Sequence, residues 1–594
     1  MLKFLRNVNL TKNKCKFASV ILIFSSMSRE YLVNQLSENI IKILNSMKTL
    51  KKIKSLGLIF LGIVSLLLTS CSSTPEGLKT VPNDANFVGV VDVYSLYKKG
   101  DLQQVRNFEA FKMLQKEIRS ESKNISDFID QILEDPTKTG INLKKDVFFY
   151  NVGDFKEGQT ACISFELSSE ADFSKFLQKI LDETKMELEI KKSEKYSYIN
   201  YTTTTIAWDK DKALIVSDTR YGNQDESEKY VSKLMNLPAS EQISKDSSFK
   251  KFYQDKKDVS FWLGMQKLQE QAFGTNLFQE LGYDFTDSYL SLFLSFEDKY
   301  ISLKTNFQPG EEYAKRLKEY DMYGKSFNKD LFKFLPKQTY ITSGMTINPQ
   351  GFYKYLGDLK HFSFIEEQIN ENKFGFTLKE IFDGLGGSVL FNLSGFEKIK
   401  YTREKFWYEY ENQDERQEGE LIEDERLFPI MGLVLDLNGS QAVEKILQVV
   451  GDEVEKTEDY YYFLFDGKYP LYFTFNDKLF FITSSEKGIK SFKNGGLPSD
   501  NLKETEIASQ ISKHSVYYYL NLNYDEYPEL LRKELNFTRN EEVSRIWIDI
   551  LKEAEFKQID NYSGELIIRF KKEGNSLNTI LQGVDQTSRN VLKI

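Results

Sequence analysis

Side chains that could hold a metal or transfer protons are scarce in this sequence of 594 residues. It contains two histidines, His361 and His514, and three cysteines, Cys15, Cys71 and Cys162. This set is too small for a Cys/His zinc cluster and leaves little for histidine-based acid–base catalysis. We interpret both histidines as surface or helix-end residues, and we predict no catalytic residue, no metal site and no cofactor.

A glycine-spaced loop and the abundant acidic residues are two other patterns that could support catalysis. Residues 153–160 (GDFKEGQT) have the glycine spacing of a phosphate-binding loop, but Gln159 stands where a lysine must reach the phosphates. The loop also joins two predicted strands, so we expect a hairpin turn and no bound nucleotide. Acidic residues are abundant without a distinctive pair, which leaves a carboxylate-dependent hydrolase of envelope or nutrient polymers as the alternative function. The net charge of −9 argues against nucleic acid as a partner.

Cys71 lies in the setting of a lipid-attachment site. Lysines follow Met47, and the apolar run over residues 56–68 that comes next is too short to span a bilayer comfortably. The run ends in Leu-Thr-Ser-Cys, which resembles the bacterial lipobox. We predict a lipoprotein signal peptide over residues 47–70, lipidation of Cys71, and a tether over residues 71–80. A membrane anchor or a buried helix with an accidental cysteine is the alternative.

The predicted signal peptide and lipidation site lead to further predictions about the rest of the chain. Because a signal peptide belongs at the N-terminus, we interpret residues 1–46 as a mis-assigned translation start that is not part of the fold. Ser72 after the cysteine resembles a signal for outer-membrane sorting, so we expect a lipid-anchored outer-membrane protein, with the periplasmic or surface face left open. Cys162 is then the only other thiol of the mature chain, and its apolar strand pattern predicts a core residue.

The sequence after the tether contains two similar halves. An apolar strand pattern at residues 163–167 precedes Ser169 and a helix with one apolar face, and residues 433–437 precede Ser440 and the same spacing. Other strand and hairpin patterns correspond in the same order. We therefore predict a tandem duplication, with a first repeat over residues 81–325 and a second repeat over residues 326–594.

The predicted fold class is α+β. Strands outnumber helices in both repeats, and adjacent strands are linked by short turns instead of helical crossovers. The sequence therefore predicts a duplicated domain with a mainly antiparallel sheet and helices packed on one face. Two such copies packed side by side would leave a groove between them, where a partner could bind.

An acidic insertion over residues 404–426 distinguishes the second repeat from the first. Four aromatic residues stand at its start: Phe406, Trp407, Tyr408 and Tyr410. Large rigid rings give contact area at low entropic cost, so these four are the candidate contacts with a partner. For the insertion as a whole we favour a solvated loop, with a protruding hairpin that recognises a partner as the alternative.

The resemblance to a known family rests on three features: the lipobox, the Val81-Pro82 start with its apolar strand, and residues 133–153 (LEDPTKTGINLKKDVFFYNVG). Together they resemble a lipoprotein family common in Bacteroidetes, in which one domain of unknown function covers nearly the whole mature chain. The resemblance extends over about residues 81–590 and implies no catalytic or binding residues.

These observations predict a lipid-anchored cell-envelope protein with a non-catalytic binding or assembly role. Its expected partners are the membrane, through Cys71, and an envelope protein or glycan of unknown identity.

Overall fold

The computed structural model describes residues 74–592, except for residues 86, 122, 154–159, 185, 219–223, 267–284, 360–361, 363–365, 368–374, 405–420, 452–453, 466–468 and 535–540.

The described strands form one antiparallel sheet of twenty strands. The N-terminal half contributes β1 (Phe87–Val91), β2 (Val147–Val152), β3 (Thr160–Glu166), β4 (Lys191–Lys192), β5 (Ser197–Tyr201), β6 (Thr204–Trp208), β7 (Lys212–Asp218), β8 (Val259–Gly264), β9 (Tyr289–Glu297) and β10 (Tyr300–Gln308). The C-terminal half contributes β11 (Ile341–Thr346), β12 (Leu385–Glu404), β13 (Leu421–Leu437), β14 (Glu455–Lys456), β15 (Tyr461–Phe465), β16 (Tyr469–Phe475), β17 (Leu479–Thr483), β18 (Val516–Asn521), β19 (Leu551–Gln558) and β20 (Ser563–Phe570).

The described helices are distributed over the whole chain. They are α1 (Val93–Gly100), α2 (Glu109–Glu121), α3 (Lys123–Glu134), α4 (Glu170–Thr184), α5 (Gln224–Met235), α6 (Ser247–Gln254), α7 (Glu311–Tyr320), α8 (Pro349–Gly357), α9 (Leu378–Asp383), α10 (Gln441–Val450), α11 (Glu486–Ser491), α12 (Glu506–Lys513), α13 (Glu529–Glu534), α14 (Glu541–Ile550) and α15 (Ser576–Leu592). The predicted α+β class with a mainly antiparallel sheet is confirmed.

The strands pair in the same order in both halves. The N-terminal order is β4-β5-β6-β7-β3-β2-β1-β8-β9-β10. The C-terminal order is β14-β15-β16-β17-β13-β12-β11-β18-β19-β20, so each strand has a counterpart ten strands later. Pairing of β10 with β20, from Tyr300–Arg569 to Asn306–Ser563, joins the two halves into one sheet.

The sheet continues across the predicted boundary between the two repeats. The boundary between residues 325 and 326 falls after α7, yet β20 from the C-terminal half extends the sheet of the N-terminal half. Helix α15 also crosses back to pack against α1 and α2. The two predicted repeats therefore share a sheet, and the last helix of the second packs on the first, while their boundaries and the duplication itself stay predictions.

Helices cover both faces of the sheet in the N-terminal half, where the sequence predicted one face. Neighbouring side chains of β2 pack on opposite faces of the sheet. Phe148 and Tyr150 pack with residues of α5 and α6. Val147 packs with residues of α3 and α4 on the opposite face. Side chains alternate along a strand, so a strand with bulky apolar residues at successive positions needs cover on both sides.

Helix α4 forms as the sequence predicts. Ser169 Oγ accepts a hydrogen bond from the Asp172 backbone N–H at 3.2 Å, which satisfies one of the unpaired donors at the helix start. The apolar positions of this helix, Phe173, Phe176, Leu177 and Ile180, are all buried. None of the described helices is both long and apolar enough to span a membrane.

Cys162 lies in the core, as predicted. Its side chain is 2% exposed, and burial raises the pKa of its thiol well above the ordinary value. We expect iodoacetamide in mildly alkaline buffer to leave Cys162 unmodified in the native protein and to modify it fully in urea, as measured by peptide mass mapping. Rapid modification of the native protein would contradict this burial.

Candidate ligand-binding cleft

Several residues singled out from the sequence lie outside the described residues. These are Cys71, His361 and the four rings Phe406, Trp407, Tyr408 and Tyr410. Around the acidic insertion, β12 and β13 pair as far as Glu404 and Leu421. The predicted bounds 404–426 therefore include paired strand residues, and lipidation and partner contact stay predictions.

Two other sequence-based interpretations fall partly on described residues. His514 caps the C-terminus of α12, as expected of a helix-end residue, and its Nδ1 lies 3.0 Å from the carbonyl oxygen of Gln558. The loop with phosphate-loop spacing joins β2 and β3, whose last pair is Val152 with Thr160. It therefore connects two paired strands, as predicted, although residues 154–159 lie outside the described residues.

A cleft of about 500 Å³ lies between α5 and the hairpins β4–β5 and β5–β6. The turn between β4 and β5 is closed by the Ser193 backbone N–H, which donates to the Tyr196 carbonyl oxygen at 2.8 Å. This turn places Tyr196 and Tyr198 on one face of the sheet, because side chains two positions apart in a strand point the same way. Both rings are half-buried and line the cleft.

Thr205, Val231 and Glu228 complete the interior of the cleft. Thr205, on β6, is fully buried, and its Oγ1 shares a hydrogen bond of 2.7 Å with Ser227 Oγ on α5. Val231 is buried one helical turn after Ser227, and Glu228 is half-buried beside it. The exposed rim is formed by Ser193, Lys229 and Ser232.

Asn200 holds the carboxylate of the cleft from below. Its Nδ2 donates a hydrogen bond to Glu228 Oε1. The residue is only 8% exposed, and its Oδ1 is buried without a hydrogen-bond partner in the described part of the chain. A buried polar atom without a partner is costly, so such an atom is a common mark of a functional site or of an ordered water molecule.

The corresponding position in the C-terminal half is filled by a ring. Thr205 pairs with Val216 on β7, and Tyr472 pairs with Thr483 on β17. Val216 in turn pairs with Cys162 on β3, and Thr483 pairs with Gly432 on β13. Tyr472 therefore stands at the register position of Thr205.

The ring of Tyr472 packs among two other tyrosines. Its centroid lies 5.6 Å from that of Tyr460 and 6.3 Å from that of Tyr462. Removal from water raises the pKa of Tyr472, with a smaller contribution from the nearby carboxylate of Glu486. Tyr460 Oη donates to Glu486 Oε1 at 3.1 Å. A large ring with two tyrosine neighbours therefore takes the place of the small Thr205 side chain in the C-terminal half.

Acidic groups that could support hydrolysis are not gathered in the cleft. Among the described residues that line it, Glu228 is the one carboxylate. The described carboxyl groups whose pKa burial raises, Glu397 on β12 and Asp436 on β13, lie outside the cleft. The described residues also contain no group of three or more His, Cys, Asp or Glu side chains placed to hold a metal ion.

Comparison with known proteins identifies the family. The family described as "Domain of unknown function (DUF4836)" matches residues 79–577. The chain belongs to this family. The predicted coverage by one domain of unknown function is therefore confirmed, while the lipoprotein character stays a prediction.

Other comparisons add little. No curated protein matches the chain. Solved structures with similarity include crystal form III of TP0453, which is 12% identical and covers 41% of this chain and 82% of its own at a TM-score of 0.23. Crystal form I of TP0453 is 11% identical and covers 41% of this chain and 81% of its own at the same TM-score. Likeness at this level carries no argument about this chain.

The cleft residues were missed by sequence reasoning. Tyr196, Tyr198 and Glu228 belong to no catalytic or metal-binding pattern, and they come from a hairpin and a helix separated in sequence. The available signal was a comparison of the matched hairpins β6–β7 and β16–β17, in which Thr205 corresponds to Tyr472. A small residue in one copy and a large ring in the other indicates space in the first copy.

An exposed apolar strip is a second surface feature. Ile341 on β11 pairs with Leu520 on β18, and these side chains are 38% and 37% exposed. Tyr518, two positions from Leu520, is 44% exposed, and its ring lies 6.2 Å from that of Phe556 on β19. The tyrosine run 517–519 thus alternates between core and surface, as strand geometry requires, because Tyr517 is buried.

Proposed function

We propose that this chain is a lipid-anchored protein of the cell envelope that binds a ligand, without catalysing a reaction, in the cleft between α5 and the hairpins β4–β5 and β5–β6. The observation that carries the binding role is the difference between the halves. The small, buried side chain of Thr205 lines the cleft in the N-terminal half, and the ring of Tyr472 takes its register position in the C-terminal half. A concave site with aromatic walls and a few convergent polar groups is the usual form of a small-ligand site.

The envelope location is supported by the sequence. The signal-peptide pattern over residues 47–70 and the Leu-Thr-Ser-Cys motif support a lipid on Cys71. Gly77, six residues after Cys71, packs against the backbone of Phe165 on β3, so the fold begins within the predicted tether 71–80. A short tether of this kind would hold the protein close to the outer membrane.

A duplicated origin is part of the same proposal. The matching strand order of the two halves and the matching sequence patterns around Ser169 and Ser440 support it. After a duplication, one copy can keep an open cleft while the other loses it by acquiring a larger side chain. The asymmetry at Thr205 and Tyr472 then separates a binding half from a structural half.

Retention of envelope material tests the binding role. The variant Thr205→Tyr places in the N-terminal half the ring that fills the C-terminal half. Immobilised wild-type protein is expected to retain at least one component of a solubilised envelope extract that Thr205→Tyr does not retain. Tyr472→Phe, which keeps the ring of the filled half, is the matched control and should behave as wild type. Identical retention by wild type and Thr205→Tyr would contradict the proposal.

The anchor is tested by replacing Cys71. We expect Cys71→Ala to abolish metabolic labelling with palmitate and to shift the protein out of the membrane fraction, because the acyl chains supply the membrane affinity. The wild-type mature protein should begin at Cys71 in mass spectrometry. A different mature N-terminus, or no palmitate label on the wild-type protein, would contradict the lipoprotein assignment.

A further inference from the structure

We propose that the ligand of the cleft is a neutral saccharide, with one sugar ring lying against Tyr196 and Tyr198 and its hydroxyl groups bonded to Glu228 and the rim. This inference rests on the proposed binding function and adds the chemical class of the ligand.

The two rings form an aromatic wall suited to a sugar. Their centroids are 6.0 Å apart and their planes are inclined by 59°, so they make an angled surface and not a closed stack. Both rings are half-buried against the core, which limits their rotation before a ligand arrives. A sugar ring has an apolar face of C–H groups, and tyrosine offers apolar area together with a polar tip.

The polar groups match hydroxyl groups. Asn200 fixes the carboxylate of Glu228 by donating to Oε1 and makes no hydrogen bond with Oε2. Ser193 and Ser232 stand exposed at opposite sides of the rim, one on the β4–β5 turn and one on α5. Such groups accept and donate hydrogen bonds, as the hydroxyls of a sugar require.

The charges of the lining indicate a neutral ligand. The cleft contains one carboxylate, Glu228, and one ammonium group, Lys229. A second ammonium group, that of Lys191, lies 5.9 Å from the centre of the Tyr198 ring. Because the lining carries both signs of charge, a cation would be repelled by Lys191 and Lys229 and an anion by Glu228, whereas a neutral ligand meets neither repulsion.

The size and position of the cleft suit a unit within a longer chain. A volume of about 500 Å³ lies within the usual range for small-ligand sites and accommodates one or two sugar rings. Its rim at Ser193, Lys229 and Ser232 is exposed, so neighbouring sugar units can extend into solvent. An envelope or nutrient glycan can therefore bind through an internal or terminal residue.

Titration with defined saccharides tests this proposal. The probes are the methyl glycosides of glucose, galactose, mannose and N-acetylglucosamine and the corresponding trisaccharides, measured with the full mature chain by saturation-transfer NMR and calorimetry. At least one probe is expected to bind. Tyr198→Ala should weaken its binding about tenfold or more, because the ring supplies the main contact area, and Glu228→Gln should weaken it about fivefold.

Matched variants locate the site. Tyr462 pairs with Tyr472, the residue at the register position of Thr205, so Tyr462→Ala removes a ring from the counterpart hairpin and should leave the affinity unchanged. Thr205→Tyr should abolish binding. If Thr205→Tyr fails to fold, as judged by circular dichroism, the comparison of Tyr198→Ala with Tyr462→Ala decides the question.

Each outcome has a distinct meaning. If no saccharide binds while Thr205→Tyr still loses envelope material, the ligand class is overturned and the binding function stands. Binding of spermidine in place of the sugars would likewise overturn the neutral class. If a saccharide binds equally to wild type, Tyr198→Ala and Thr205→Tyr, the site assignment is overturned. The proposal is supported if Tyr198→Ala and Thr205→Tyr lose saccharide binding and Tyr462→Ala keeps it.

Discussion

The variant Gly140→Ala is expected to lose about 3 kcal/mol of unfolding free energy, because its Cβ would clash with backbone. Gly140 has φ of +71°, and an added Cβ would lie 2.4 Å from both the Phe173 nitrogen and the Ser169 carbonyl oxygen. The Gly140 carbonyl oxygen also accepts from the Ser168 and Ser169 backbone N–H groups at 2.8 and 3.2 Å. Relief of the clash would disturb the start of α4. Urea unfolding followed by far-ultraviolet circular dichroism measures the loss.

Gly375→Ala is the matched control for this prediction. Gly375 also has a positive φ, of +77°, but an added Cβ would meet no described residue within 4 Å. Its expected cost is about 1 kcal/mol, from the backbone conformation alone. Equal losses for the two variants would contradict the close packing of Gly140 against α4.

Trp208→Ala is expected to cost about 3–5 kcal/mol, the usual range for removing a large buried side chain. The side chain is fully buried, and its ring lies edge-on to that of Phe173 at 5.7 Å between centroids. Its Nε1 donates to Ser174 Oγ at 2.9 Å. The substitution would leave a cavity between β6 and α4, and the loss is measured by the urea midpoint at constant slope.

Phe475 supplies the comparison in the C-terminal half. Trp208 pairs with Ala213 on β7, and Phe475 pairs with Phe480 on β17, so the two occupy the same register position. Phe475 is only half-buried. Its replacement by alanine should therefore cost about half as much as Trp208→Ala, since less apolar area returns to water. A larger loss for Phe475→Ala would show that this face is packed more tightly than the structure indicates.

Local features of the fold were predictable because they depend on neighbouring residues. The start of α4 at Ser169, the apolar face through Phe173 and Phe176, and the burial of Cys162 all follow from short spacings and local hydrogen bonds. Gly140 belongs to the stretch 133–153 that carried the family resemblance, and its close approach to α4 gives that glycine a physical role.

Features that depend on distant residues were not predictable. The pairing of β10 with β20 joins segments from opposite halves, and no local pattern in Tyr300 or Arg569 indicates it. Cover on both faces was missed because the continuous apolar run in β2 was not considered as a sign of double burial. The cleft was missed because it arises from a small side chain, Thr205, at a position where its counterpart is Tyr472.

Amide hydrogen exchange with bound envelope material tests the central claim most directly, because it reports where on the chain a ligand lies. The mature protein is compared with and without solubilised envelope extract. Exchange is expected to slow in peptides covering β5, β6 and α5 and to stay unchanged in the counterparts β15, β16 and α11. Slowing in the counterparts instead, slowing confined to the exposed strip at Ile341 and Leu520, or no change anywhere would contradict binding in the cleft.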